Sequence, residues 1–152
     1  MYLLDTNHCS RLIDGHPEIT ARLTSLGNVE VATCVIVRGE LRLMVERSER
    51  RDENHRKVQA FLKDIKIYPV DSAVADIYGG LKAKLLKHFG PRNRAVRRKT
   101  SIERLGFKEN DLWIAATVLK QDLVVVTLDG DFSRMKEAAP ELRMESWLSE
   151  DR

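Results

Sequence analysis

Residues 123–132 read LVVVTLDGDF, an apolar run rich in β-branched residues that ends at Thr127, two residues before Asp129. A short continuous apolar run bounded by polar residues predicts a strand buried on both faces, as in a parallel sheet. Similar runs predict four more strands, at 2–4, 29–37, 65–70 and 142–146. Apolar residues at three- and four-residue spacing predict helices at 18–26, 38 or 40 to about 47, 53–63, 72–88 and 109–120. This alternation predicts an α/β fold in three layers, with a central, mostly parallel five-stranded sheet flanked by helices.

The length and composition of the chain predict one globular domain. Of its 152 residues, 43% are hydrophobic and 32% are charged, which excludes fibres, membrane-spanning proteins and disordered tails. A domain of about 150 residues buries roughly 68–70% of its unfolded surface, enough for one core. We therefore expect a single domain over residues 1–148.

The cysteines and the N-terminus predict the compartment. Cys9 and Cys34 are too few for a disulfide framework or a zinc knuckle. The first ten residues, MYLLDTNHCS, lack the basic and apolar regions of a signal peptide. We therefore expect a cytoplasmic protein with no membrane partner.

The positive charge of the chain is concentrated in residues 92–108. The whole chain carries a net charge of +3, whereas this segment alone has seven basic residues and one acid. Its weak apolar pattern predicts a basic connection, mostly loop, that leads directly into Asn110 and Asp111. Because of that position, we expect its charges to lie near any site that Asp111 helps to form.

Four acidic residues from separate segments fall at one edge of the predicted sheet. Asp5 ends the first strand, and Asp129 follows the fourth. Glu40 lies just past the second strand, in the first turn of its helix, and Asp111 begins the helix NDLWIAATVL. Ligands of parallel sheets collect at the carboxyl ends of the strands, so we expect these four side chains to converge there.

A cluster of carboxylates predicts a site for a divalent cation. Neighbouring carboxylates raise one another's pKa values, and they stay ionised only when a cation offsets their charge. Oxygen ligands without His or Cys suit Mg²⁺ or Mn²⁺, which activate water against phosphodiesters. A single acid after a strand, however, is more often a helix cap or a turn residue. The prediction of metal-dependent phosphodiester hydrolysis therefore depends on all four acids together.

Several motifs in the chain resemble those of a known family. The opening YLLDTN, the segment TCVIVRGELR around Glu40, the helix start NDLWIAA and the segment VVTLDGDF occur in the order and spacing of PIN-domain ribonucleases. They are most similar to the VapC-type toxins of bacterial toxin–antitoxin pairs. The resemblance runs from residue 2 to the C-terminal LRMESWL and implies a Mg²⁺- or Mn²⁺-dependent endoribonuclease.

The resemblance also implies roles for individual residues. The expected catalytic and metal-binding acids are Asp5, Glu40, Asp111 and Asp129. Asn7 and Thr127 match supporting polar positions, and Asp131 is an alternative acid or a residue that supports the metal ligands. The charge and position of the basic segment, rather than the resemblance, predict contacts with RNA phosphates. The residues expected to make them are Arg92, Arg94, Arg97, Arg98 and Lys99.

The expected partners are RNA and a cognate antitoxin protein. A homodimer is expected from the resemblance and from the pair Gly79–Gly80 within a predicted helix, where glycine allows close approach of another helix. The chain departs from the family at His8, where VapC-type toxins usually carry an apolar residue. We expect His8 to lie at the surface or to cap a helix rather than to act in catalysis.

Other proteins also place acids at strand ends. A haloacid-type phosphohydrolase requires a second aspartate where this chain has Asn7, and a receiver domain requires paired acids before the end of its first strand, where none precedes Asp5. The alternative that remains is a catalytically inactive PIN-fold module that binds RNA or protein.

Overall fold

The computed structural model describes residues 1–149 and has a five-stranded sheet at its centre. In chain order the strands are β1 (Tyr2–Leu4), β2 (Val31–Cys34), β3 (Lys66–Tyr68), β4 (Val124–Val126) and β5 (Arg143–Glu145). They lie side by side in the order β3-β2-β1-β4-β5, and all four pairs are parallel. The predicted α/β fold with a five-stranded parallel sheet is confirmed.

Helices cover this sheet. They are α1 (Thr6–Ile13), α2 (Pro17–Leu26), α3 (Val35–Arg47), α4 (Arg51–Asp64), α5 (Ser72–Phe89), α6 (Arg94–Arg98), α7 (Glu109–Gln121) and α8 (Gly130–Ala138). A short 3-10 turn, Glu103–Leu105, precedes α7. Within residues 1–149, none of these helices is both long enough and apolar enough to cross a lipid bilayer.

The central position of β1 determines where a ligand can bind. Strands β2 and β3 lie on one side of β1, and β4, which comes later in the chain, lies on the other side of β1. Leu3 therefore lies between Ala32 and Val125. All three of these residues are completely buried, which places the core on the central strands. Such a reversal of strand order opens a crevice at the carboxyl ends of the strands. The residues that follow β1 and β4 therefore lie beside that crevice.

The second strand is shorter than predicted. The sequence predicts a strand over 29–37, but β2 ends at Cys34 and α3 begins at Val35. Residues Val37, Leu41 and Val45 are buried at helical spacing, whereas Val35 is 39% exposed. Burial of this helical face outweighs the preference of β-branched residues for strands.

Two helices that the sequence analysis did not predict begin directly after strands. Helix α1 follows β1, and α8 follows β4 after a three-residue turn. Each is capped by an aspartate: Asp5 Oδ1 accepts the backbone N–H of His8 at 2.8 Å, and Asp129 Oδ1 accepts that of Asp131 at 2.9 Å. The two caps bring both carboxylates to the helix N-termini at the same edge of the sheet.

The basic segment is also more ordered than predicted. Residues 92–108 contain α6 and the 3-10 turn, and the remaining residues of the segment are loop, as predicted. Ile102 and Phe107 are 0% and 1% exposed and fix the second half of the segment to the core. The pattern was weak because these two apolar anchors lie five residues apart, which matches neither a helix face nor a strand face.

Candidate active site

A cleft of about 270 Å³ lies at the carboxyl ends of the central strands. Its walls come from the start of α1, from the middle of α3, from the first half of α7, and from the turn after β4. The lining residues are Asp5, Thr6, Asn7, Glu40, Leu43, Met44, Lys108, Asp111, Ile114 and Asp129. The four acids that the sequence predicts to converge therefore line one cleft.

Asp5 is held on three sides. Its backbone N–H donates to the carbonyl of Val126 at 3.1 Å, which ties it to β4. Its Oδ1 accepts the backbone N–H of His8 at 2.8 Å and also contacts the His8 ring at Nδ1, at 3.0 Å. Asp5 is only 5% exposed, so its carboxylate has little freedom to turn.

Glu40 links two of the walls. Its Oε2 accepts a hydrogen bond from the hydroxyl of Thr6, and its Oε1 accepts one from the side-chain amide of Asn110 at 2.8 Å. Glu40 was predicted in the first turn of its helix, but it is the sixth residue of α3, because that helix begins at Val35. The extra turn directs Glu40 toward the starts of α1 and α7.

Asp111 is the most perturbed acid of the cleft. It is 9% exposed, and its Oδ2 is buried without a hydrogen-bond partner among residues 1–149. Burial, followed by the charge of Asp129, raises the pKa of Asp111 to about 7, although Lys108 acts in the opposite direction. A buried carboxylate oxygen that lacks a donor fits a cation ligand.

Three of the aspartates form a compact group. Asp111, Asp129 and Asp131 each offer a carboxylate oxygen, and these oxygens lie within 4.8 Å of one another. Thr127 supports the group, since its hydroxyl oxygen accepts the backbone N–H of Asp129 at 2.9 Å. Asp5 lines the same cleft outside this group of three.

The comparison with known proteins agrees with this geometry. The family model described as PIN domain matches residues 2–138. The chain belongs to the PIN-domain family. Among curated proteins, Ribonuclease VapC2 of Rickettsia felis is 28% identical over 152 residues, which cover 97% of this chain and 98% of that protein. Ribonuclease VapC5 of Mycobacterium tuberculosis is 32% identical over 111 residues, which cover 72% of this chain and 71% of that protein.

A solved structure gives the same result. The crystal structure of VapBC2 from Rickettsia felis bound to a DNA fragment from their promoter contains a chain with a TM-score of 0.75 to this one. The two chains are 28% identical, and the match covers 97% of this chain and 98% of the other. The expected resemblance to VapC-type PIN-domain proteins is therefore confirmed.

The supporting residues of this PIN-domain protein fall in different places. Asn7 is exposed and lines the cleft, whereas Thr127 is buried behind it. Asp131 lies in the compact group with Asp111 and Asp129 and forms an ion pair with Arg134, at 3.4 Å between Oδ1 and Nη1. The resemblance implies only a secondary role for Asp131, whereas its carboxylate oxygen lies within 4.8 Å of those of Asp111 and Asp129. Asp131 is the second residue of α8, a helix that the sequence did not predict.

His8 was expected at the surface or in a helix cap, and the surface position is wrong. In the cap of α1, His8 supplies only its backbone N–H, which the side chain of Asp5 accepts. His8 is 0% exposed, and its ring lies against the Asp5 carboxylate. No role was expected for the side chains of Thr6 and Asn110, although both bind Glu40. Lys108, the last residue of the basic segment, lines the cleft beside Asp111. A signal was available, because Thr6 and Asn110 each stand directly beside an acid of the motif.

The basic residues divide into two sets. Arg92, Arg94, Arg98 and Lys99 have exposed side chains. Arg97 is half-buried, and its guanidinium donates to the backbone carbonyls of residues 91 and 92 at 3.1 and 3.0 Å. Four of the five residues expected to contact RNA are therefore accessible, whereas Arg97 also holds the start of the segment in place.

Proposed function

We propose that this protein is a Mg²⁺- or Mn²⁺-dependent endoribonuclease that acts as the toxin of a toxin–antitoxin pair. The observation that carries the proposal is the convergence of Asp5, Glu40, Asp111 and Asp129 on one cleft. The names of the curated relatives, both described as ribonucleases, support RNA as the substrate. We further propose that residues 1–148 act as one domain, since β1 and β5, from opposite ends of the chain, both pair with β4.

The side chains of the cleft fit a hard divalent cation. All the candidate ligands are carboxylates, and one of them, Asp111, has a buried oxygen that lacks a donor. The proposed ligands are Asp5, Glu40, Asp111 and Asp129, with Asp131 close to the last two. A divalent cation in such a site supplies an activated water and offsets the negative charge of a phosphodiester.

The protein itself holds the ligand oxygens in place. Two helix caps fix Asp5 and Asp129, and hydrogen bonds from Thr6 and Asn110 fix Glu40. Side chains that are fixed before the substrate binds lose little entropy during the reaction. The acids are therefore preorganised for a reaction that requires several of them at once.

A lysine side chain on the cleft wall favours a negatively charged substrate. Lys108 lines the acidic cleft and also a second, adjoining hollow with Glu103, Gly106 and Phe107. We propose that Lys108 contacts an RNA phosphate beside the acids and that the exposed arginines of α6 contact phosphates farther along the strand.

The proposed partners follow from the relatives. The similar chain from Rickettsia felis occurs in a VapBC assembly bound to promoter DNA, which supports a cognate antitoxin partner for this protein. The homodimer and the cytoplasmic location remain predictions from the sequence.

Replacement of Asp5 by asparagine tests the proposed function. Labelled RNA pools are incubated with the purified protein and Mn²⁺, with or without EDTA. We expect D5N to lose cleavage and remain folded, because an asparagine oxygen still accepts the His8 N–H that starts α1. Asp76→Asn on the exposed surface of α5 is the matched control and should cleave normally.

Three outcomes would contradict the proposal in different ways. Undiminished cleavage by D5N, or cleavage that persists in EDTA, would remove the proposed mechanism. A wild-type protein that binds both Mn²⁺ and RNA but cleaves nothing would instead be the inactive binding module.

A further inference from the structure

We propose that His8 is a positioning residue, which holds Oδ1 of Asp5 so that Oδ2 is the atom offered to a divalent cation. This inference rests on the proposed function, because it concerns a ligand of the same cleft. His8 is the third residue of α1 and is completely buried. It lies behind Asp5 and is not among the residues that line the cleft.

Two contacts on one oxygen carry the proposal. Oδ1 of Asp5 accepts the backbone N–H of His8 at 2.8 Å, and the ring Nδ1 of His8 lies 3.0 Å from the same oxygen. An ionised carboxylate only accepts hydrogen bonds, so the ring nitrogen that faces it is the one that carries a proton. The two donors occupy both lone pairs of Oδ1, and Oδ2 is left for the cleft.

The helix cap does not require the imidazole ring. The first contact uses a backbone N–H, which any residue except proline would supply at this position. The second contact uses the ring and brings an unfavourable term, because the buried Nε2 of His8 has no hydrogen-bond partner among residues 1–149. A buried polar atom without a partner destabilises the fold. A phenylalanine here would avoid that cost and keep the cap, so the ring contributes the contact with Asp5 rather than stability.

A fixed carboxylate binds a cation more tightly than a mobile one. Residues that hydrogen-bond to metal ligands set the ligand's orientation, and their loss typically weakens metal binding 10–100-fold. The ring and the helix cap together allow Asp5 one orientation, with Oδ1 toward α1. Without the ring, the cap alone would hold Oδ1 by a single hydrogen bond.

The test compares three replacements of His8 by two measurements. Mn²⁺ affinity is measured by calorimetry at fixed pH, and the melting temperature is measured in EDTA. We expect H8F to bind Mn²⁺ 10–100-fold more weakly than wild type while its melting temperature in EDTA is unchanged or higher. We expect H8N to bind Mn²⁺ within about threefold of wild type, because its amide nitrogen takes the place of Nδ1.

The third replacement, His8→Gln, keeps the test decisive if the apolar ring of H8F disturbs the fold. Its amide nitrogen reaches the place of Nε2 instead of Nδ1, so H8Q should lose affinity as H8F does. Equal Mn²⁺ affinities of H8N and H8Q, or wild-type affinity in H8F, would overturn the positioning role and leave the metal site intact. Absence of Mn²⁺ binding in the wild-type protein would overturn both this inference and the proposed function.

Discussion

Replacement of Asp111 by asparagine is expected to stabilise the metal-free protein above neutral pH and to remove tight Mn²⁺ binding. Asparagine has nearly the shape of a protonated aspartic acid but cannot ionise. Because burial and the charge of Asp129 raise the pKa of Asp111, the folded protein holds this proton more tightly than the unfolded chain does. Ionisation of Asp111 therefore destabilises the fold as the pH rises.

The size of the effect follows from the pKa. In the absence of metal, the penalty is negligible below the unfolded pKa of 3.8, grows as the pH rises, and is complete above the folded pKa of about 7. At about 1.4 kcal/mol for each pH unit, this difference sets an upper limit of about 4 kcal/mol. Since the cleft is open to water, which screens the charge, we expect about 2 kcal/mol at pH 8 and under about 1 kcal/mol at pH 4.5.

Urea unfolding in EDTA at these two pH values measures the effect. The asparagine variant should be more stable than wild type at pH 8 and nearly equal to it at pH 4.5, while the exposed Asp76→Asn control follows wild type at both. Addition of Mn²⁺ at pH 8 should reverse the order, because only the wild-type carboxylate gains a ligand bond. A stability difference that is the same at both pH values, or a variant that is less stable than wild type at pH 8, would contradict this expectation.

The remaining predictions concern the metal, the basic segment and Arg134, which contacts that segment. Mn²⁺ should raise the melting temperature of the wild-type protein and not that of Asp129→Asn, and EDTA should reverse the rise; an equal rise in both would place the cation elsewhere. In the double variant Arg94→Ala and Arg98→Ala, the slope of log binding constant against log salt concentration for RNA should become about 1.4 less steep. Arg97→Ala should change this slope less than the double variant does and should lower the free energy of unfolding more. Arg134→Ala should lower the free energy of unfolding in urea by about 1–2 kcal/mol. The guanidinium of Arg134 donates to the carbonyl of Leu105 at 2.7 Å and lies 4.1 Å from the ring centroid of Phe107. An unchanged unfolding curve would contradict that role.

The sequence predicted the features of the fold that depend on continuous patterns. The run over 123–127 identified strand β4, which lies beside the central strand β1, since three adjacent valines have no polar face to expose. Parallel strands were predicted from the helical segments between them, and the sheet order then brought Asp5 and Asp129 to one edge. The convergence of Asp5 and Asp129 thus required only the strand ends and the direction of the chain, whereas that of Glu40 and Asp111 also required the positions of two helices.

Other features depend on contacts that no local pattern records. Helix α8 buries only Phe132 and Met135, too few residues to show a helical period. Without α8, the position of Asp131 beside Asp111 had no basis. The burial of His8 was missed for a related reason, because one polar residue after a strand appears exposed until the contact with Asp5 is known.

Asp5 and Asp129 each cap a helix and also line the cleft. This double role limits how an inactive variant of the protein can be made. Alanine at either position would remove the oxygen that starts a helix, at a cost of about 1 kcal/mol, together with the negative charge. Loss of activity in an alanine variant could then come either from the missing carboxylate or from the weakened helix. Asparagine keeps the side-chain oxygen that caps the helix and removes only the charge. An inactive variant for growth assays in living cells is therefore better made with asparagine than with alanine.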